Sequence, residues 1–137
     1  MWDDIEFFSE HEFACKCGCG NAPMDLEFLK VLDKIRRDFA KPLTVSSGYR
    51  CSEHPIEARK KKPGAPSTGL ACDLLVHGQE ALEVLRLALS HPQIKGVGIQ
   101  QKGKRSQRFV HLDAVDQSSH LGGHLGSHLA RPNIWSY

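Results

Sequence analysis

Ser46-Ser47-Gly48-Tyr49-Arg50, taken with Gly69-Leu70-Ala71-Cys72-Asp73 and Phe109-Val110-His111-Leu112-Asp113, sets the architecture of this chain. Each is a short polar signature that ends or starts an apolar run, and the three can converge on one cleft. Leu43-Thr44-Val45-Ser46 is a short strand rich in β-branched residues that leads into Gly48. Leu70 to Val76 reads as a central strand buried on both faces. Val97-Gly98-Ile99-Gln100 and Arg108-Phe109-Val110-His111-Leu112 read as two strands of a hairpin, joined by the basic turn Lys102-Gly103-Lys104-Arg105.

Two helices frame these strands. One is expected from Asn21, which can cap it, with Pro23 tolerated in the first turn and Asp25 and Glu27 suited to the positive helix end. Leu29, Leu32, Ile35 and Phe39, with Phe28 and Val31 beside them, have the three-four spacing of a buried stripe, and Pro42 ends the run. The second spans Gln79 to His91, with Leu82, Leu85, Leu87 and Leu89 on its apolar side and Pro92 just beyond. A short helix is expected around Glu53–Lys61, ahead of a loop carrying Pro63, Gly64 and Pro66. Helices on a small, mostly antiparallel sheet make an α+β domain.

A chain of 137 residues with 40% hydrophobic composition suits a single domain over residues 1–137, with a real core and a cleft for a small ligand. The formal net charge of +2 is too mild for a nucleic-acid binder, and the dense basic run Lys60-Lys61-Lys62 reads as a solvated loop. No run reaches the length of a membrane span, and Met1-Trp2-Asp3-Asp4 lacks the basic and apolar regions of a secretory signal. The expectation is a chain made in the cytoplasm, with no membrane insertion, whose action on a cell wall would need delivery by other machinery, for example as part of a virion.

The five cysteines do not look like an extracellular disulfide framework. Cys15, Cys17 and Cys19 alternate and can face one way, but paired zinc cysteines are usually more widely spaced, so the group reads as packed thiols. Should a metal bind there, Cys51 is the fourth donor. Near the C-terminus, residues 117–130 form a His/Gly-rich arm in which His120, His124 and His128 recur every four residues. On a helix they could chelate Zn²⁺ or Ni²⁺, but Gly122, Gly123 and Gly126 oppose a helix by about 1 kcal/mol each, which favours a flexible arm. Trp135 should dock on the body of the domain.

Asp73 and His111 are the candidate metal ligands. An unpaired carboxylate in the apolar run around Asp73 would be costly, and a metal or a buried arginine would relieve that cost. On a strand, His111 and Asp113 share a face, so Asp113 can act on a metal-bound water or orient the imidazole. By itself a His-x-Asp pattern equally fits a core histidine beside a turn former; the three segments together are specific.

Those segments resemble the zinc peptidases that cut cell-wall peptides, the D-alanyl-D-alanine carboxypeptidase and L-alanyl-D-glutamate endopeptidase group of bacteria and phages. That group shares the Hedgehog/DD-peptidase fold and shows Ser-Gly-Tyr-Arg, then His-x-x-Gly-x-Ala-x-Asp, then a Phe-Val-His-x-Asp strand. The resemblance runs from about Cys17 onward and includes Arg50-Cys51-Ser52-Glu53-His54 and Ile134-Trp135-Ser136-Tyr137. It implies zinc held by Asp73 and His111, and Arg50 with Tyr49 on a peptidoglycan peptide substrate, Arg50 also facing the developing oxyanion; Asp113 stands where the group's strand has its aspartate and is the candidate catalytic residue beside Arg50. The chain departs from the pattern at Pro66, three residues before Gly69, where the group has its first histidine ligand and proline offers no donor. His54 is a candidate substitute, as is the histidine arm. Two activities therefore stand side by side: a metallopeptidase, and a catalytically degenerate binding or structural module, for example of a phage virion. A zinc-stabilised interaction domain built on Cys15, Cys17, Cys19 and Cys51 is a third.

Overall fold

Thr44–Ser47 (β1), Ala71–Leu75 (β2), Gly96–Gln100 (β3), Phe109–Asp113 (β4) and Asn133–Ser136 (β5) form one sheet in the order β1-β2-β4-β3-β5. They are seen in the computed structural model, which describes residues 1–51, 53–58, 65–116 and 130–137. All pairings are antiparallel except β3 with β5, which is parallel. The expected α+β class and mostly antiparallel sheet are what the chain adopts. The Lys60-Lys61-Lys62 loop and the His120, His124, His128 arm lie outside the described residues, as does the end of the helix expected over Glu53–Lys61, of which Pro55–Ala58 (α3) is helical.

Strand alternation divides the sheet into two faces. Cys72, Leu74, Val97, Val110 and Leu112 are buried in the core with helix Leu26–Phe39 (α2), whose Phe28, Leu29, Leu32 and Ile35 are almost fully enclosed, and helix Gly78–Leu89 (α4). Cross-strand register places Asp73, His111, Gly98 and Trp135 in one row, and Ala71, Asp113, Gly96 and Asn133 in the next. These rows alternate with the core-facing ones and so belong to the opposite face.

Both long helices differ from expectation, α2 in where it begins and α4 in the side it buries. α2 begins at Leu26, not Asn21, with Asp25 as its N-cap accepting from the Phe28 amide at 2.9 Å. The preceding residues have other work: Asn21 O accepts from Cys15 N at 2.7 Å and Asp25 N donates to Gly69 O at 2.9 Å, so Asn21–Asp25 is held as a strap across the start of β2. Gly69 has φ +75°, and a Cβ there would collide with Pro23 O. In α4 the buried seam is Ala81, Val84 and Ala88; Leu85 and Leu87 pack at its edge, and Leu82 and Leu89 are exposed. The smaller residues face the core because they allow close approach to β4, and the leucine count misjudged the side.

The N-terminal segment is fixed by Asp33 of α2, whose buried carboxylate accepts the Glu6 and Phe7 amides at 3.0 and 2.8 Å. Helix Glu10–Phe13 (α1) follows, its Ser9 and Glu12 forming a capping box. It packs against β1, with Tyr49 N donating to Phe13 O at 2.8 Å. A Cβ on Gly48 would fall on the Phe13 backbone, so the Ser-Gly-Tyr-Arg signature needs glycine for this approach.

Candidate active site

The site lies on the sheet face turned away from the helices, and strand register builds it. Asp73 on β2 and His111 on β4 are direct cross-strand partners, and their side chains meet at 2.9 Å between Oδ1 and Nδ1. Two residues further along β4, Asp113 reaches back so that Oδ2 lies 2.7 Å from His111 Nε2. Arg131 completes the chain with a bidentate fork, Nε to Oδ1 at 2.9 Å and Nη2 to Oδ2 at 2.8 Å. The Val115 amide adds a further bond to Asp113 Oδ1 at 3.3 Å. Within this series the side chains of Asp113 and Arg131 are 0% and 1% exposed, while Asp73 at 15% is the end open to solvent.

β3 makes room for this arrangement. A Cβ on Gly96 would strike the Asp113 carboxylate and Arg131 Nε, and one on Gly98 would come within 2.6 Å of Trp135 Nε1. With only hydrogen at Gly98, the Trp135 ring leans over β3 to lie 5.1 Å from the His111 ring, while the Arg131 guanidinium sits 4.8 Å from the Trp135 ring. Trp135 docks as expected, and its place is against the site. Tyr137, beside Phe109 at 5.1 Å between rings, closes the same end.

The electrostatics follow from these contacts. Burial pushes the His111 imidazole down, but hydrogen bonds and charge from Asp113 and Asp73 outweigh it, and the net shift is upward. Burial pushes Asp113 up, and the bonds from His111 and Arg131 reverse this to a net lowering. Burial raises the Tyr137 phenol; its bond with Trp135 lowers it, Asp73 and Asp113 raise it, and Arg50 lowers it. Tyr137 thus feels the charges of all three.

Of the residues expected from sequence, Asp73 and Asp113 each contact His111, one at either ring nitrogen. Tyr49, Arg50 and His54 line a small pocket of about 150 Å³ together with Lys16, Ser46 and Ser47. The guanidinium that meets the buried carboxylate is that of Arg131. Pro66 lies in a 3-10 turn, Ala65–Thr68, and its carbonyl accepts from Arg50 N at 3.0 Å, which ties the signature after β1 to the loop before β2. Cys72 is buried on the core side, as alternation requires. Arg131 and Tyr137 were not anticipated. The signal for Arg131 was the buried Asp113, which needs a cation, but sequence distance left the partner open.

The donor pair fits zinc. Neighbouring ligands of a tetrahedral zinc bound to nitrogen and oxygen lie about 3.3 Å apart, close to the Asp73–His111 separation. With Nε2–H donating to Asp113 Oδ2, Nδ1 faces Asp73, and loss of the proton shared between them would free its lone pair for zinc. Among the described residues the one group of three or more metal-binding side chains that converge is a different one, Cys15, Cys17, Cys19 and Cys51. The pair on the sheet is thus two protein donors strong among those residues.

The sheet face thus brings an aspartate and a histidine together, backed by a buried carboxylate and arginine. The sequence profile of the family described as Peptidase M15 matches residues 6–113, and the chain belongs to that family of metallopeptidases. No curated protein matches the chain at a significant level. No helix among the described residues is long and apolar enough to cross a membrane.

Proposed function

We propose that the chain hydrolyses amide bonds in peptidoglycan stem peptides, with zinc held by Asp73 and His111. The observation that carries this reading is the 2.9 Å approach of Asp73 Oδ1 to His111 Nδ1, in a chain of the M15 family. Bound there, zinc would supply Lewis acidity and a water of lowered pKa. Asp73, at the end open to solvent, would hold the cation where a substrate can reach it. His111 presents Nδ1, its tautomer and ring plane set by Asp113. Among the described residues the Asp113 carboxylate bonds His111, Arg131 and the Val115 amide, so it is better placed to position His111 than to move a proton. Arg50 and Tyr49, in the adjoining pocket, are suited to a peptide carboxylate, since a guanidinium fork binds such a group bidentately. The substrate lies in the cell wall, so the protein would reach it by release from the cytoplasm or carriage on a virion.

The test is incubation of zinc-loaded protein with purified muropeptides, with mass spectrometry of the products. Hydrolysis that disappears in Asp73→Ala and His111→Ala is expected. A product yield unaffected by both changes would overturn the assignment. The pair's two-donor count favours one other reading, a peptide-binding module on the same scaffold. It predicts muropeptide binding that Arg50→Ala weakens, with no hydrolysis at full zinc occupancy. Pro66→His separates the two: under the peptidase reading it tightens zinc binding and raises turnover.

A further inference from the structure

Outside the peptidase site, the described residues hold one more convergence of reactive side chains. The ligand atoms of Cys15, Cys17, Cys19 and Cys51 all lie within 4.8 Å of one another, and all four are free thiols. Cys51 is the hub, with Sγ at 3.6 Å from Cys15, 3.3 Å from Cys17 and 3.9 Å from Cys19. For zinc bound to four sulfurs at about 2.3 Å, the tetrahedron edge is about 3.8 Å, and these separations bracket it.

The backbone is shaped to produce the cluster. Gly18 and Gly20 adopt φ +104° and +72°, which lets the segment double back so that three closely spaced cysteines turn to one point. The tight spacing that argued for packed thiols is overcome by these two glycines. Nor is this a core thiol group: Cys19 is exposed and Cys17 half-buried. Backbone amides point at the sulfurs, Cys51 N at 3.3 Å from Cys15 Sγ and Asn21 N at 3.4 Å from Cys19 Sγ. Such N–H to sulfur bonds stabilise thiolates and orient them as ligands.

We propose that Cys15, Cys17, Cys19 and Cys51 bind a structural zinc ion, independent of the Asp73–His111 pair, that fastens the N-terminal segment to the loop carrying Tyr49 and Arg50. Soft thiolate donors select zinc over the hard cations, and a closed set of four leaves no position for substrate. Cys51 directly follows Arg50, so the ion fixes one end of the pocket that Tyr49 and Arg50 line. Loss of the ion would loosen that pocket without touching Asp73 or His111.

The test uses the full chain, purified under reducing conditions from zinc-supplemented culture, with metal content measured by mass spectrometry. His111→Ala is expected to retain about one zinc per chain. Cys17→Ser and Cys51→Ser in that background should lose it, and Cys72→Ser, outside the cluster, should not. Because a cysteine variant can fail to fold, the wild-type chain is also reconstituted with Co²⁺. Thiolate-to-cobalt charge-transfer bands in the near ultraviolet, with strong tetrahedral visible bands, are expected in wild type and in His111→Ala alike. Absence of those bands, iron in place of zinc, or quantitative disulfides in the freshly purified chain would overturn the proposal. Hydrolysis of muropeptides is not the readout, so an inactive peptidase site leaves this test intact.

Discussion

Asp113 shows how far a single residue is committed by its surroundings. Its carboxylate is enclosed and meets an equally enclosed Arg131, so truncation at Asp113 strands a guanidinium away from water. Breaking a buried pair from one side costs about 3–5 kcal/mol, and Asp113→Ala should lower unfolding free energy by that order in urea titrations. The pH dependence of the metal-free chain follows from two shifts of opposite sign. Asp113 is lowered in the folded state, so its contribution is present above the ordinary carboxylate range and fades as pH falls through the lowered value. His111 is raised, so its contribution is full below its unfolded value and fades as pH rises through the raised one. Denaturation midpoints should therefore decline on both sides of a plateau, and His111→Gln should remove the alkaline decline. The residues that touch one another across strands were legible: Asp73, His111 and Asp113 follow from alternation and from the cost of burying a carboxylate. Arg131 was not, because no local pattern says which of many arginines returns to a given buried acid.

At the scale of elements, the capping and packing of α2 make specific demands. Asp25 is its N-cap, and Asp25→Ala should cost about 1 kcal/mol, read as a shift in thermal midpoint. At the other end Ala40 has φ +60°, a left-handed conformation that a Cβ disfavours. Ala40→Gly should stabilise by about 0.5–1 kcal/mol, since relief of that strain exceeds the entropy glycine adds to the unfolded chain. α2, α4 and β1–β4 were recognisable from their apolar patterns. Their boundaries were less so. Asn21 has the residue type of a cap, yet its carbonyl is claimed by Cys15, a tertiary bond that helix-end preferences do not encode. Likewise β5 carries little strand pattern of its own, with Ile134 63% exposed, and forms because β3 offers it a parallel edge.

For the whole molecule, one sheet serves two purposes. Its helix-side rows supply the core, and its other rows supply the contacting Asp73 and His111, the buried Asp113 carboxylate and the glycines that let Trp135 and Arg131 close over them. Gly98→Ala should displace Trp135 from His111 and quench or shift its fluorescence response to zinc, while leaving the core rows intact. The family and the Asp73–His111 contact were readable from three short signatures; the four cysteines were readable as a set of donors with Cys51 as the fourth, but not their convergence, which depends on two positive-φ glycines folding a segment onto Cys51. The most direct test is a crystal grown with zinc, with anomalous diffraction recorded across the zinc edge. A peak bridging Asp73 Oδ1 and His111 Nδ1 is the predicted result. A map with no density at that pair at full zinc loading, the His111 ring still clasped between Asp73 and Asp113, would contradict the account.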